Sequence, residues 1–166
     1  MLFKKISILI FLILFSFNAT ANAPRSTGKY KNWESFTVQT DKGKICFAQT
    51  IPTKRAPASI KREKSKLFVT FRPSENIKDE VSMTSGHDYK SSTVTASSGK
   101  KRYSFFSQKN FAWLLDDQEE RGFIKTMKRA TNVIVKARTT KGAETTDHYS
   151  MMGFTKAYNT AKKTCS

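Results

Sequence analysis

The feature that most restricts the fold of this 166-residue chain is a period of two in its side chains, repeated between short turn signals across residues 33–149. Side chains that alternate in this way suit a pleated strand with two unlike faces. A run of such segments closed by Gly, Pro, Asn and Asp reads as antiparallel sheet. Residues 33–40 alternate Phe36 and Val38 against Ser35 and Thr37, and Asp41-Lys42-Gly43 supplies a turn. Residues 44–50 then return with Ile45 and Phe47 on one face and Cys46 on the other. Beyond a basic loop bearing Pro52 and Pro57, Leu67, Val69 and Phe71 share one face, and Lys66, Thr70 and Arg72 share the other. Arg72-Pro73-Ser74 ends that strand, because neither a proline nor the residue before it suits a sheet interior. Shorter strands are expected at 80–84, 92–96, 102–107 and 112–115, and a last pair at 132–139 and 144–149 turns through Lys141-Gly142.

Two segments switch to helical spacing. In the first, Asp116 can cap, acidic residues Asp117, Glu119 and Glu120 start the helix, and Lys125, Lys128 and Arg129 end it, a distribution that complements the helix dipole. Phe123, Ile124 and Met127 give it one apolar face. In the second, Phe154, Ala157, Tyr158, Ala161 and Cys165 fall on one stripe, which turns Cys165 toward the protein. The expectation is a single mainly β, antiparallel β-sandwich-like domain with one or two short helices, one of them C-terminal.

Residues 1–21 read differently. Lys4 and Lys5 precede an apolar run, residues 6–17, broken only by Ser7 and Ser16, and small residues follow. This is the grammar of a cleaved signal peptide, and the run falls short of the roughly 20 apolar residues a membrane span needs. Cleavage after Ala21 avoids a proline at the start of the product and leaves 22–166 as one exported domain, periplasmic or secreted, with no membrane anchor. Cysteine use agrees. Cys46 and Cys165 are the only pair, and in an oxidising compartment they are expected to join and to fasten the C-terminal helix to the first hairpin; two free buried thiols are the alternative.

The formal net charge is +17, and loss of Lys4 and Lys5 lowers it to +15. A surplus of this size favours polyanions, and the densest stretches carry the candidate contacts: Lys54, Arg55, Lys61, Arg62, Lys64 and Lys66, then Lys100, Lys101 and Arg102. Neither stretch has the aromatic interleaving or motif of a nucleic-acid module, so an anionic envelope component or a protein partner is expected instead. Hydrolase elbows, Gly-rich phosphate loops, zinc-helix motifs and calcium loops do not occur, so no cofactor or metal is expected. The catalytic candidates are His87 beside Asp88 and His148 beside Asp147, and neighbours in a strand point to opposite faces, which counts against the second pair. A non-catalytic binding role is therefore expected, with an envelope hydrolase using His87 or His148 as the rival.

Four features stand out along the domain: Trp33 near its start, Lys44-Ile45-Cys46 after the first turn, Arg72-Pro73-Ser74-Glu75, and a closing block, Thr146-Asp147-His148-Tyr149-Ser150 leading through Gly153-Phe154 into the last helix. In these residues the chain resembles the invasion associated locus B family of exported alphaproteobacterial proteins across essentially all of 22–166. It lacks the additional central cysteine pair of many members. The resemblance implies one mostly β domain in the periplasm or outer envelope, with no catalytic site to carry over, and for some members a host-interaction or adhesion role.

Overall fold

The computed structural model describes residues 22–166, so the expected signal peptide, 1–21, lies outside the described residues. The alternating segments form strands, and each pairs antiparallel with its neighbours. In chain order they are β1 (Arg25–Tyr30), β2 (Trp33–Thr40), β3 (Gly43–Thr50), β4 (Lys54–Ala56), β5 (Lys66–Arg72), β6 (Ile77–Thr84), β7 (Val94–Ser98), β8 (Lys101–Gln108), β9 (Phe111–Trp113), β10 (Asn132–Arg138) and β11 (Glu144–Ser150). Helix α1 (Asp117–Arg129) lies between β9 and β10, and α2 (Phe154–Thr164) follows β11.

The strands lie side by side in the order β1-β2-β3-β5-β6-β9-β8-β7-β10-β11-β4. Strand β8 divides this sheet into two leaves. Its residues 101–105 pair with β7 and its residues 106–108 pair with β9. The inward faces of both leaves, Ala48, Leu67, Val69 and Val81 on the first and Val94, Ala96, Val133 and Val135 on the second, join the helices' Phe123, Met127, Phe154 and Tyr158 in one core.

Both helices form where the spacing places them. The Asp116 side chain accepts the Glu119 backbone N–H at 2.8 Å, and Phe123, Ile124 and Met127 are buried. Glu120 is buried as well, because its carboxylate accepts the Val81 N–H at 3.0 Å where the short β9 has already ended. Burial pushes its pKa up to about 7, against the pull of that same hydrogen bond. Helix α2 starts at Gly153, whose φ of +95° and close approach to the Tyr30 carbonyl leave no room for a side chain. Cys46, fully buried on β3, is bonded to Cys165 at the C-cap of α2, with their Cα atoms 5.8 Å apart. The bond ties the last helix to the first hairpin, as the parity of Cys46 requires.

The observed strands differ from expectation mainly at β1 and β4, the two edges of the sheet, which sequence periodicity does not mark. β1 buries little and β4 is three residues of a basic stretch; short, charged edges are a common defence against edge-to-edge association. The strand expected from Ser92 begins instead at Val94, because Ser92 has a φ of +57° and the Thr93 hydroxyl closes a turn onto the Lys90 carbonyl.

Candidate functional site

The basic stretch 54–66 is continuous in sequence and scattered in space. Arg62 turns inward: its guanidinium meets both carboxylate oxygens of Asp147 at 2.8 and 2.6 Å and donates to the Ser85 carbonyl at 2.9 Å. Its side chain is 2% exposed, so the expectation of a free polyanion contact at Arg62 is corrected. The reason is a demand from the core: Asp147 is itself 1% exposed, and a buried carboxylate needs a matched, multiply bonded partner. Arg55 is half committed to the same cluster, with its Nε 3.9 Å from Asp147 and its guanidinium donating to the Glu63 carbonyl. The Glu63 N–H donates to the Gly86 carbonyl at 2.9 Å, which pins the loop between β4 and β5 so that Lys61 and Lys64 project into solvent.

Tyr149 and Tyr89 lie in the same buried region. The Tyr89 hydroxyl donates to Ser85 at 3.0 Å, and burial raises its pKa to about 12. The Tyr149 hydroxyl has no hydrogen-bond partner, and burial, reinforced by Asp147, holds its pKa well above the usual phenol value. Neither phenol ionises near neutral pH.

The remaining basic residues meet through strand register. Across the second leaf, Lys54 on β4 lies opposite His148 on β11, His148 opposite Ile134 on β10, Ile134 opposite Ser97 on β7, and Ser97 opposite Arg102 on β8. The two basic stretches thus stand at the ends of one row on the outward face, four strand spacings or about 19 Å apart. Lys136 and Arg138 are outward on β10, alternating with buried Val133, Val135 and Ala137. Lys100 and Lys101 extend the row at the β7–β8 turn, both exposed. The one acidic side chain paired with this face among the described residues is Glu144, 3.8 Å from Lys136 and 3.3 Å from Arg138. These exposed pairs contribute little, and the face stays positive. Lys66 lies elsewhere, on the outer face of the first leaf with its ammonium 5.9 Å from the Phe68 ring centroid.

Lys136 and Arg138 belong to no run of basic residues, which is why a search for charge clusters passes over them. The signal that marks them is the period of two in 132–138, whose polar members share one face.

The two histidines have structural surroundings. His87 places Nδ1 3.0 Å from the Asp88 backbone carbonyl, not the carboxylate, and Nε2 2.9 Å from the hydroxyl of Thr145, a buried residue. His148 and Asp147 occupy opposite faces of β11, as strand parity dictates, with Asp147 bound to Arg62. A surface cavity of about 440 Å³, lined by Lys29, Trp33, Glu34, Gln49 and Ile51 among others, contains neither histidine. Comparison of the chain with family models, curated proteins and solved structures gives no match.

Proposed function

We propose that this protein is an exported, non-catalytic binding component of the cell envelope, periplasmic or secreted and akin to the invasion associated locus B family it resembles. Its basic second-leaf face engages an anionic envelope component or the acidic surface of a protein partner. The observation that carries this reading is the register that aligns Lys54 with Arg102 across five strands, with Lys136 and Arg138 beside them and Glu144 as their paired counter-charge. A flat array of this kind attracts polyanions through summed field rather than a shaped pocket, so it confers attraction without close selectivity. Lysine outnumbers arginine 22 to 8 within the 30 basic residues, and point-charge ammonium groups fit that mode better than bidentate recognition does. The Cys46–Cys165 bond suits an oxidising compartment.

Binding to purified lipopolysaccharide, measured at about 50 mM and about 500 mM salt, tests the reading. Affinity is expected to fall steeply with salt as the charges are screened. It is also expected to fall about tenfold in Lys54→Glu/Lys136→Glu, whose side chains are exposed and whose melting temperature stays that of the parent. Salt-independent binding, or unchanged affinity in the double variant, refutes it.

A further inference from the structure

The outward face of the first leaf carries aromatic residues where a solvated sheet face is normally polar. Phe36 on β2 lies opposite Phe47 on β3, and Trp113 on β9 lies opposite Phe106 on β8. The Phe68 ring lies 6.2 Å from the Phe47 ring, and Phe68 on β5 and Trp113 on β9 flank the small Ser82 on β6 in one row. The belt crosses β2, β3, β5, β6, β9 and β8, about 24 Å at the usual strand spacing. Phe106 is 54% exposed, and Phe36, Phe47, Phe68, Phe111 and Trp113 are half-buried. Single exposed rings are ordinary, whereas rings aligned across six neighbouring strands mark a contact surface.

The orientation of the rings selects what they contact. Phe36 and Phe47 stack on each other, 5.2 Å apart and 16° from parallel, and Phe111 and Trp113 do the same at 5.9 Å and 24°. The Phe68 ring has the Lys66 ammonium 5.9 Å from its centroid. Four of the rings thus have one face covered by a neighbour and Phe68 has a cation beside it, which leaves fewer open faces on which a sugar or a nucleobase could stack. Hydrocarbon surface continues at Val38 opposite Ile45. A formal net of +17, or +15 without Lys4 and Lys5, then disfavours a second copy of the chain and favours an anionic apolar phase. Lys66 stands at one end of the belt and exposed Lys109 in the β8–β9 turn beside Phe111. Exposed Leu115, at the other end, is followed by Asp116 and Asp117. Glu34, in register with Phe68 through Gln49, is an acidic group within the belt, so the basic charge of this face is concentrated on its Lys66 and Lys109 side.

We propose that this belt is a membrane-docking surface that seats the protein on an anionic phospholipid bilayer, with Phe106, Phe111 and Trp113 at the acyl boundary and Lys66 and Lys109 at the phosphates. Such a surface lies in the interface, where burial of ring edges and attraction of lysines to anionic lipid add together. No helix among the described residues is long and apolar enough to cross the membrane. The inference rests on the proposed envelope location and not on the basic face of the second leaf.

The test is partitioning onto vesicles of phosphatidylglycerol and phosphatidylcholine at about 3:7, against phosphatidylcholine alone, with tryptophan emission as a second readout. Trp33 is 1% exposed and Trp113 lies in the belt, so Trp113 supplies the blue shift on binding. Partitioning onto the anionic vesicles is expected, reduced about tenfold or more in Phe106→Ser/Phe111→Ser. It is also expected to fall in Lys66→Glu/Lys109→Glu and to persist in Lys54→Glu/Lys136→Glu. Brominated acyl chains are expected to quench Trp113 in the parent protein, a readout that holds even if a serine variant folds poorly. Absence of partitioning, absence of quenching, or full partitioning by the well-folded serine variant overturns the inference. Loss of partitioning in Lys54→Glu/Lys136→Glu alone moves lipid binding to the second leaf, which overturns the belt and leaves the proposed function standing.

Discussion

With Cys46→Ala and Cys165→Ser combined, α2 is held to the domain by packing and hydrogen bonds alone. The bond closes a loop of 119 residues in sequence separation, and the loop-entropy relation assigns about 5 kcal/mol to a loop of that length. The roughly 5 to 15 kcal/mol that stabilises a domain makes this a large fraction. For a chain of this size each kcal/mol moves the midpoint about 2 to 4 °C, so the variant should melt about 10 to 20 °C below the parent. Contacts that survive set where the loosening begins. The start of α2 keeps Phe154 against Trp33, ring centroids 4.7 Å apart, and its middle keeps the Tyr158 hydroxyl donating to Asp79 at 2.6 Å. Its last turn, from Lys162 on, keeps only the exposed Lys44 ammonium donating to the Thr164 carbonyl at 3.2 Å. Thermal unfolding of the variant, and of the parent under reductant, measures the first effect. Hydrogen exchange along α2 measures the second, with protection lost from the C-terminal turn inward. A midpoint within about 3 °C of the parent, or unchanged exchange at the end of α2, would refute the reasoning.

Glu120 gives a second expectation, on pH. Its pKa, about 7 in the fold against an ordinary 4.5, is raised, so the native state binds this proton more tightly than the unfolded chain does. The associated stability is complete below about pH 4.5 and is lost as pH rises through about 7, up to about 3 kcal/mol in all. Glu120→Gln keeps an acceptor for the Val81 N–H and should remove this slope, which denaturant titrations at pH 5 and pH 8 would detect; parallel slopes in parent and variant would contradict it. His87→Ala should leave ligand binding unchanged, since His87 meets a backbone carbonyl and Thr145, and His148→Ala should lower it by no more than about twofold, since His148 lies in the row between Lys54 and Arg102 but is not one of the Lys or Arg charges that attract the ligand. Loss of biological activity in either variant at an unchanged melting temperature would favour the hydrolase reading.

Periodicity makes the two-faced strands legible, along with both helices, but leaves the edges unread. β1 and β4 lie at the ends of the strand order, where burial is slight and no alternation is imposed on the residues. The basic face was half legible. Charge clusters in the sequence contain Lys54 and Arg102, yet their alignment is a property of four strand pairings between segments distant in the chain. Arg62 shows the converse: nothing in the run 54–66 distinguishes it from Lys61 or Lys64, because its burial is determined by Asp147, 85 residues away.

Which face of the first hairpin turns inward is a separate question, and apolarity alone answers it wrongly. One face of β2 and β3 offers Phe36, Val38, Ile45 and Phe47, and the other offers Ser35, Cys46 and Ala48 with Trp33 at the end. Transfer of surface from water favours burying the first set. The structure buries the second, because α2 lies across that face and presents Ala157 and Ala161 alongside Phe154 and Tyr158. A helix can approach a sheet closely only over small residues, and Ser35, Cys46 and Ala48, all buried, provide that floor. Phe36 and Phe47 on this face would hold the helix away and separate Cys46 from Cys165. The sequence carries one clue to the choice, the parity of Cys46: a cysteine bonded to the stripe of α2 must lie on the face that α2 covers. The same constraint drives the phenylalanines outward, so the aromatic belt of the first leaf is the counterpart of the close packing beneath it.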